Sequence, residues 1–230
     1  MTPANAGGGP VTGDGCPVRV YASLPDAGEA DLVAARCPDG GSILDLGAGT
    51  GRVADPLASR GFEVVAVDAS EEMLDHVQHA RPVCSRIEDL DLWESFDVVL
   101  LASHLVNTPT EETRRALLAA AARHVKRTGQ VVIQWHPPEW FDGLGAGVQA
   151  TGQLGPFSVT LSVHELREGL LDATVAYQGD AETWHQDFRA RRLTYTDLDQ
   201  ALSEASLGGI QGLVDDFTWL SAKPVPAAGT

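Results

Sequence analysis

A chain of 230 residues, 43% hydrophobic and 21% charged, is long enough to bury one sizeable core and has the composition of a folded protein. Acidic side chains outnumber basic ones 32 to 16, for a formal charge of -16. That balance excludes the clustered Lys and Arg that a nucleic-acid partner requires and favours a small-molecule partner.

Cys16, Cys37 and Cys84 lack metal-site and redox spacing and read as thiols of a reducing compartment. The opening "MTPANAGGGPVTGDG" has neither the basic flank nor the apolar centre of a signal peptide, and no run is long enough to cross a bilayer. The expectation is a cytoplasmic protein without a membrane partner. Its oligomeric state is left open.

Residues 1–19 are rich in Gly, Pro and small polar types and are expected to form a flexible tail, followed by a single domain over 20–230. "DAGEADLVAARC" at 26–37 has acids in its first turn and Pro38 behind it, the pattern of a helix. "SILDLG" is a brief apolar strand. A helix over 52–60, which must start late or bend at Pro56, precedes the strand "EVVAV", a helix from Ser70 through Met73, Leu74 and Val77, and a strand around Val83. This βαβαβ rhythm continues in "FDVVLLA" at 96–102, a run apolar enough for a parallel strand buried on both faces. Thr108, Pro109 and Glu111 suit a capping box for a helix through Val125, Gly129 allows a turn, and "QVVIQW" is another buried strand.

From 137 to 192 the rhythm breaks. "FSVTLSVHEL" at 157–166 and "LLDATVAYQ" at 170–178 alternate around "REG" as a hairpin, and "WHQDFRARRLT" reads as a further strand. A segment inserted after the fifth parallel strand stands where a pocket would open and is expected to be an antiparallel substrate cover. A helix over 196–207 and the strand "FTWLSAKPV" finish the pattern, with a short loose tail after Pro226.

The chemistry is concentrated in "ILDLGAGTGR". Parallel sheets bind ligands beyond the C-terminal ends of their strands, and here a glycine loop joins such an end to a helix. Gly47, Gly49 and Gly51 let a ligand lie against the main chain, and Asp68, at the end of the next strand, can accept from both hydroxyls of a ribose. A dinucleotide loop reads G-x-G-x-x-G/A, but the position three after Gly49 is Arg52, and an acid, Asp45, precedes the loop. A carboxylate there repels pyrophosphate and suits an ammonium group.

With these residues the chain resembles the class I S-adenosylmethionine-dependent methyltransferases. "ILDLGAGTGR" is similar to that family's first motif, "VVAVDASEEML" to its ribose-binding strand and helix, "FDVVLLA" to its fourth strand and "HVKRTGQVVI" to its fifth. The resemblance implies an α/β, Rossmann-like fold with a seven-stranded, mostly parallel sheet, one antiparallel strand and helices on both faces. It also implies S-adenosylmethionine as cofactor, S-adenosylhomocysteine as product, and a small-molecule acceptor methylated on O or N. By this resemblance Asp45, Gly47, Ala48, Gly49, Gly51 and Arg52 surround the methionine part and Tyr21 closes over it. Asp68 takes the ribose, Ala69 and Met73 flank the adenine, and Ala102 and Ser103 follow the fourth strand. "RIEDL" departs from the family pattern, because Arg86 stands where an acid is expected; Ile87 and Glu88, or Asp89, are left to meet the adenine edge.

His104 and His136 fall just past central strands, where an imidazole can take a proton from an attacking group near neutrality; a structural role bonding a loop carbonyl is the alternative. Ser103 and Asn107 are weaker polar candidates. His76, His79, His124, His164 and His185 read as solvated, and no spacing suggests a metal. Trp135, Trp140 and Phe141 suit either a core or an aromatic wall beside a sulfonium. Composition heavy in Ala, Gly, Arg and Asp points to secondary metabolism. The alternatives are a protein that binds the same cofactor without methyl transfer, a cyclase or sensor, and an NAD-dependent oxidoreductase, which Arg52 opposes.

Overall fold

The computed structural model describes residues 9–13 and 15–225. Its central sheet contains β1 (Ser42–Leu46), β2 (Glu63–Asp68), β3 (Arg81–Cys84), β4 (Phe96–Leu101), β5 (Val125–Gln134), β10 (Leu207–Gly212) and β11 (Trp219–Pro224) in the order β10-β11-β5-β4-β1-β2-β3. β1, β2, β3, β4 and β5 pair in parallel, and β11 runs antiparallel to both β5 and β10. This is the seven-stranded, mostly parallel sheet that the motifs imply. Its strand order reverses between β1 and β4, so the loops leaving those two strands splay apart and open a cleft.

Alternation along the strands sorts the core into two layers. Leu44, Leu46, Val65, Val67, Val99, Leu101, Val131 and Ile133 face α5 (Glu111–His124) and α6 (Tyr195–Glu204), through Leu118, Ala121, Leu198 and Leu202. Ile43, Val64, Ala66, Val98, Leu100 and Val132 face α2 (Glu29–Ala34) and α3 (Ala54–Ser59), through Ala30, Val33, Ala54 and Leu57. Burial on both sides explains why "FDVVLLA" has no polar alternation.

Element ends differ from the sequence reading for local reasons. Pro56 falls in the first turn of α3, where a missing N–H is harmless. α5 begins two residues later than expected: Thr110, not Thr108, is its cap, accepting from Thr113 N at 3.2 Å and placing Glu111 and Glu112 against the positive helix end. α4 (Glu71–Leu74) is short because the Asp55 carboxylate takes the N–H groups of Gln78, His79 and Ala80 and turns the chain into β3. β10, "LGGIQG", was not legible as a strand and owes its conformation to pairing with β11. Gly129 is no turn. It lies inside β5 against β4, where the register between these strands shifts.

The expected tail through residue 19 is corrected for the residues described. Val11 bridges Pro17, and α1 (Val18–Ala22) buries Val18 and Val20. The remainder of that expectation, and the loose end after Pro226, lie outside the described residues. His124 was read as solvated but is buried: Nδ1 is 2.8 Å from the Ala120 carbonyl and Nε2 takes the Leu92 N–H, which ties α5 to the loop before β4.

A second sheet, antiparallel and in sequential order, consists of β6 (Gln149–Leu154), β7 (Phe157–Arg167), β8 (Leu170–Gln178) and β9 (Thr183–Arg191). It packs through Phe157, Val175, Tyr177 and Trp184 on Val20 of α1, and through Val163, Leu171, Ala173 and Ala190 on Phe141. Buried Asn107 fastens this sheet to the first: its amide donates to the carbonyls of His136 and Arg191, and its oxygen accepts from His136 N at 2.8 Å. Among the described residues no helix is long and apolar enough to cross a membrane.

A Cβ on Gly129 would stand 2.6 Å from the Asp97 carbonyl oxygen and 3.0 Å from that of Phe96. Gly129→Ala is therefore expected to destabilise the protein by about 2 kcal/mol, read as a lowered urea midpoint; an unchanged midpoint would show that β4 and β5 part freely there.

Candidate functional site

The cleft at the strand reversal is a cavity of about 1760 Å³, walled by the loops after β1, β2, β3, β4 and β5 and closed by α1 and the second sheet. Tyr21, Asp45, Gly47, Ala48, Gly49 and Arg52 line it, as do Asp68, Ala69, Met73, Ile87 and Glu88; Ala102, Ser103, His104 and His136 complete its wall. Gly51 is the exception among the predicted residues. It stands off the cavity with φ +80°, its Cβ direction filled by Asp55 and Val77 at 3.1 Å, so its glycine serves the turn.

The loop is shaped by its own backbone. Gly47 N and Ala48 N both donate to the Val67 carbonyl, at 2.8 and 2.9 Å, which folds the loop over the end of β2. Asp68 then fixes it, accepting from Gly49 N through one carboxylate oxygen and from Ser70 N through the other, each at 2.9 Å. Gly49 has φ +55° and open space where a Cβ would point, so the main chain is bare toward the cavity at that residue. At Gly47 a Cβ would strike Leu105 at 2.7 Å.

Asp45 is 2% exposed, and no described residue donates a hydrogen bond to its side chain. Burial raises its pKa to about 7; Arg52 opposes that shift and Asp68 adds to it. A carboxylate buried without a donor is costly, and it stands where a ligand's positive group can meet it. Its alternative reading, a carboxylate holding its own turn, would need backbone donors that are absent among the described residues. Arg52 reaches Glu29 at 2.6 Å, an ion pair largely shielded from solvent, and the Arg52 guanidinium holds the Glu29 carboxyl below its usual range against the opposing effect of burial.

Across the cleft Ser103 and His104 are consecutive non-glycine residues in the left-handed region, with φ of 54° and 59°. Strain of this kind persists where surrounding structure imposes it, here through Ser103 N bonded to the Gln134 side chain at 2.8 Å. It turns the His104 ring onto His136, centroids 3.6 Å apart and planes 14° off parallel, and Trp140 covers the other face of His136 at 3.8 Å. Burial lowers the pKa of His104 to about 4, opposed by its hydrogen bond to the Trp135 backbone, and that of His136 to about 2, with His104 adding to the shift. Both are neutral near pH 7. His104 Nδ1 is buried and has no partner, whereas His136 is enclosed between two rings.

Of the aromatic residues after β5, Trp135 and Phe141 belong to the core; Trp135 donates to the Phe217 carbonyl at 2.6 Å. Only Trp140 extends the stack. Sequence reasoning missed Glu29, Gln134 and the group formed by Tyr21, Tyr177 and Gln186, in which Tyr177 donates to Gln186 at 2.9 Å and Tyr21 at 3.4 Å. None of these carries a motif. Tyr21 is also tied to the glycine loop, its carbonyl accepting from Thr50 Oγ1 at 3.2 Å.

Residues 43–129 match the family model described as a methyltransferase domain. The cypemycin N-terminal methyltransferase of a Streptomyces species is 34% identical over 134 residues, 55% of each chain. The dTDP-3-amino-3,4,6-trideoxy-alpha-D-glucopyranose N,N-dimethyltransferase of Streptomyces venezuelae is 30% identical over 149 residues, 61% of each. An S-adenosylmethionine-dependent methyltransferase from Clostridium acetobutylicum superposes with a TM-score of 0.72 at 17% identity, over 90% of this chain and 94% of that one. The alignments thus span 55% and 61% of these two curated relatives. Residues 43–129 thus resemble a methyltransferase domain, and the chain shares the fold of a solved S-adenosylmethionine-dependent methyltransferase.

The Asp45 carboxyl binds its proton more tightly in the folded chain than in the unfolded one. Its contribution to stability is therefore fully present below the unfolded pKa near 4 and is lost as pH rises through about 7. Asp45→Asn should consequently raise the unfolding free energy at pH 8 by about 2 kcal/mol, with the advantage shrinking toward pH 4. Urea titrations at the two pH values check this; a pH-independent difference would mean that the carboxyl is not perturbed.

Proposed function

We propose that the chain transfers the methyl group of S-adenosylmethionine to a nitrogen or oxygen of a small organic acceptor in secondary metabolism, releasing S-adenosylhomocysteine. The observation that carries this reading is Asp45, a buried carboxylate without a donor, beside a backbone left open at Gly49. An anionic pyrophosphate is repelled there, and a nucleoside carrying an ammonium and a sulfonium is attracted. The residues present fit that molecule. Asp45 faces the ammonium, and Gly47, Ala48 and Gly49 leave room for the methionine chain. Asp68 retains acceptor capacity on both oxygens for ribose hydroxyls. Ala69, Met73, Ile87 and Glu88 border the adenine space, and Tyr21 closes over the methionine end.

When bound, S-adenosylmethionine supplies a methyl carbon activated by its bond to a sulfonium. The chain's task is then alignment and exclusion of water. The second sheet and the preceding residues from 137 cover the acceptor side, and Asn107 keeps that cover in register with β5. His104 Nδ1 takes a hydrogen bond from the acceptor and so orients its lone pair. His136 is a positioning residue, because its ring is enclosed and acts by keeping His104 flat against it.

Mass spectrometry of small molecules released from the purified protein is expected to find S-adenosylmethionine or S-adenosylhomocysteine; a dinucleotide in their place would overturn the reading. Asp68→Asn should weaken S-adenosylhomocysteine binding by about tenfold or more in calorimetry, since a carboxylate accepts more strongly than an amide, and unaltered affinity would remove Asp68 from the ribose. His104→Phe should preserve the stack and cofactor affinity while reducing turnover by about a hundredfold. Full turnover in that variant would make His104 structural.

A further inference from the structure

Resting on the methyl-transfer reading, we propose that the acceptor is an amine on a phosphate-free body, drawn in by an acid-lined cavity and oriented by His104 Nδ1. Glu29, Asp45, Asp68, Glu72 and Glu88 line the cofactor half, and Asp172 and Asp187 line the cover, against Arg52, Arg86 and Arg189. Each of these arginines is already paired, with Glu29 at 2.6 Å, Glu88 at 3.2 Å and Asp172 at 2.8 Å. A diphosphate is held by guanidinium or ammonium groups whose donors are available to it. Among the described lining residues seven carboxylates stand against three guanidinium groups, so a diphosphate would bring further negative charge into an acidic wall. A protonated amine meets the opposite field and is concentrated by it.

His104 Nδ1 is the buried polar atom left without a partner on this wall. With the other ring nitrogen hydrogen-bonded to the Trp135 backbone, Nδ1 is left with a lone pair, and protonation is opposed by burial and by Arg52. Such a ring accepts a hydrogen bond well but is a weak base. An alkyl hydroxyl requires its proton removed as it attacks, whereas a neutral amine already carries the reacting pair and needs only direction. The amine therefore sheds its extra proton to water before reaction and donates its remaining N–H to Nδ1. Its nitrogen forms the new N–C bond with the donor methyl as the C–S bond breaks, the bonding pair returning to sulfur and the positive charge passing to nitrogen. The product ammonium then releases a proton to water.

A competition assay with methyl-labelled S-adenosylmethionine tests this. The acceptors are a dipeptide with a free amino terminus, an amino sugar as its methyl glycoside, the same amino sugar on thymidine diphosphate, and the matching sugar alcohol. Label is expected in a phosphate-free amine, with kcat/KM at least about tenfold above the diphosphate-linked one. Asp172→Asn, which releases Arg189, should narrow that margin. Preferential labelling of the alcohol or of the diphosphate conjugate overturns the proposal. So does absence of label from both phosphate-free amines while calorimetry shows the cofactor bound. Failure of the cofactor to bind would instead bring down the methyl-transfer reading, and this one with it.

Discussion

The site depends on a carboxylate that the fold buries and then leaves without a donor. Asp45 lies in β1, an interior strand of a sheet covered on both faces, and is 2% exposed where it lines the cavity. Its neighbours could have neutralised it, but Arg52 is directed to Glu29 and the loop amides of Gly47 and Ala48 to Val67. The result is a proton affinity near physiological pH and a local preference for a cation. Few structural roles explain that arrangement, because a polar network that stabilises a fold satisfies its members.

The opposite wall follows a related logic. Two left-handed residues and a stack of three rings hold the His104 imidazole in the cavity wall, with its Nδ1 buried and without a partner. Asp68 and Asn107 provide the frame: one fixes the glycine loop to the end of β2, and the other fixes the cover to the end of β5. The two walls of the cleft are therefore each set by a single polar residue joining neighbouring elements, and both sit at the C-terminal edge of the sheet, where the strand order opens a space between them.

The glycine-loop half of the cleft was legible because its geometry is local. "DLGAGTG" needs glycines for its bend, and Asp68 sits one strand away at the spacing of a βαβ unit. The buried strands declared themselves by unbroken apolar runs, and the β7–β8 hairpin by alternation around "REG". What stayed hidden depends on distant partners. Nothing near Trp140 foretells that it stacks on His136, and nothing near Asn107 foretells its bond to Arg191, 84 residues later. The same cause explains the error at His124, whose burial comes from a loop that approaches α5 from outside it. Gly51 lies off the cavity lining, and its positive φ answers the turn.

The central claim, that an unpartnered Asp45 carboxyl receives the positive end of the cofactor, is tested most directly by counting protons during binding. Titrating the protein with S-adenosylmethionine near pH 7, in buffers of different ionisation enthalpy, gives the number released. A cation arriving beside a half-protonated Asp45 expels its proton, so the wild-type chain should release a measurable fraction of a proton more than Asp45→Asn. Equal proton counts for the two proteins, with binding intact in both, would contradict the account.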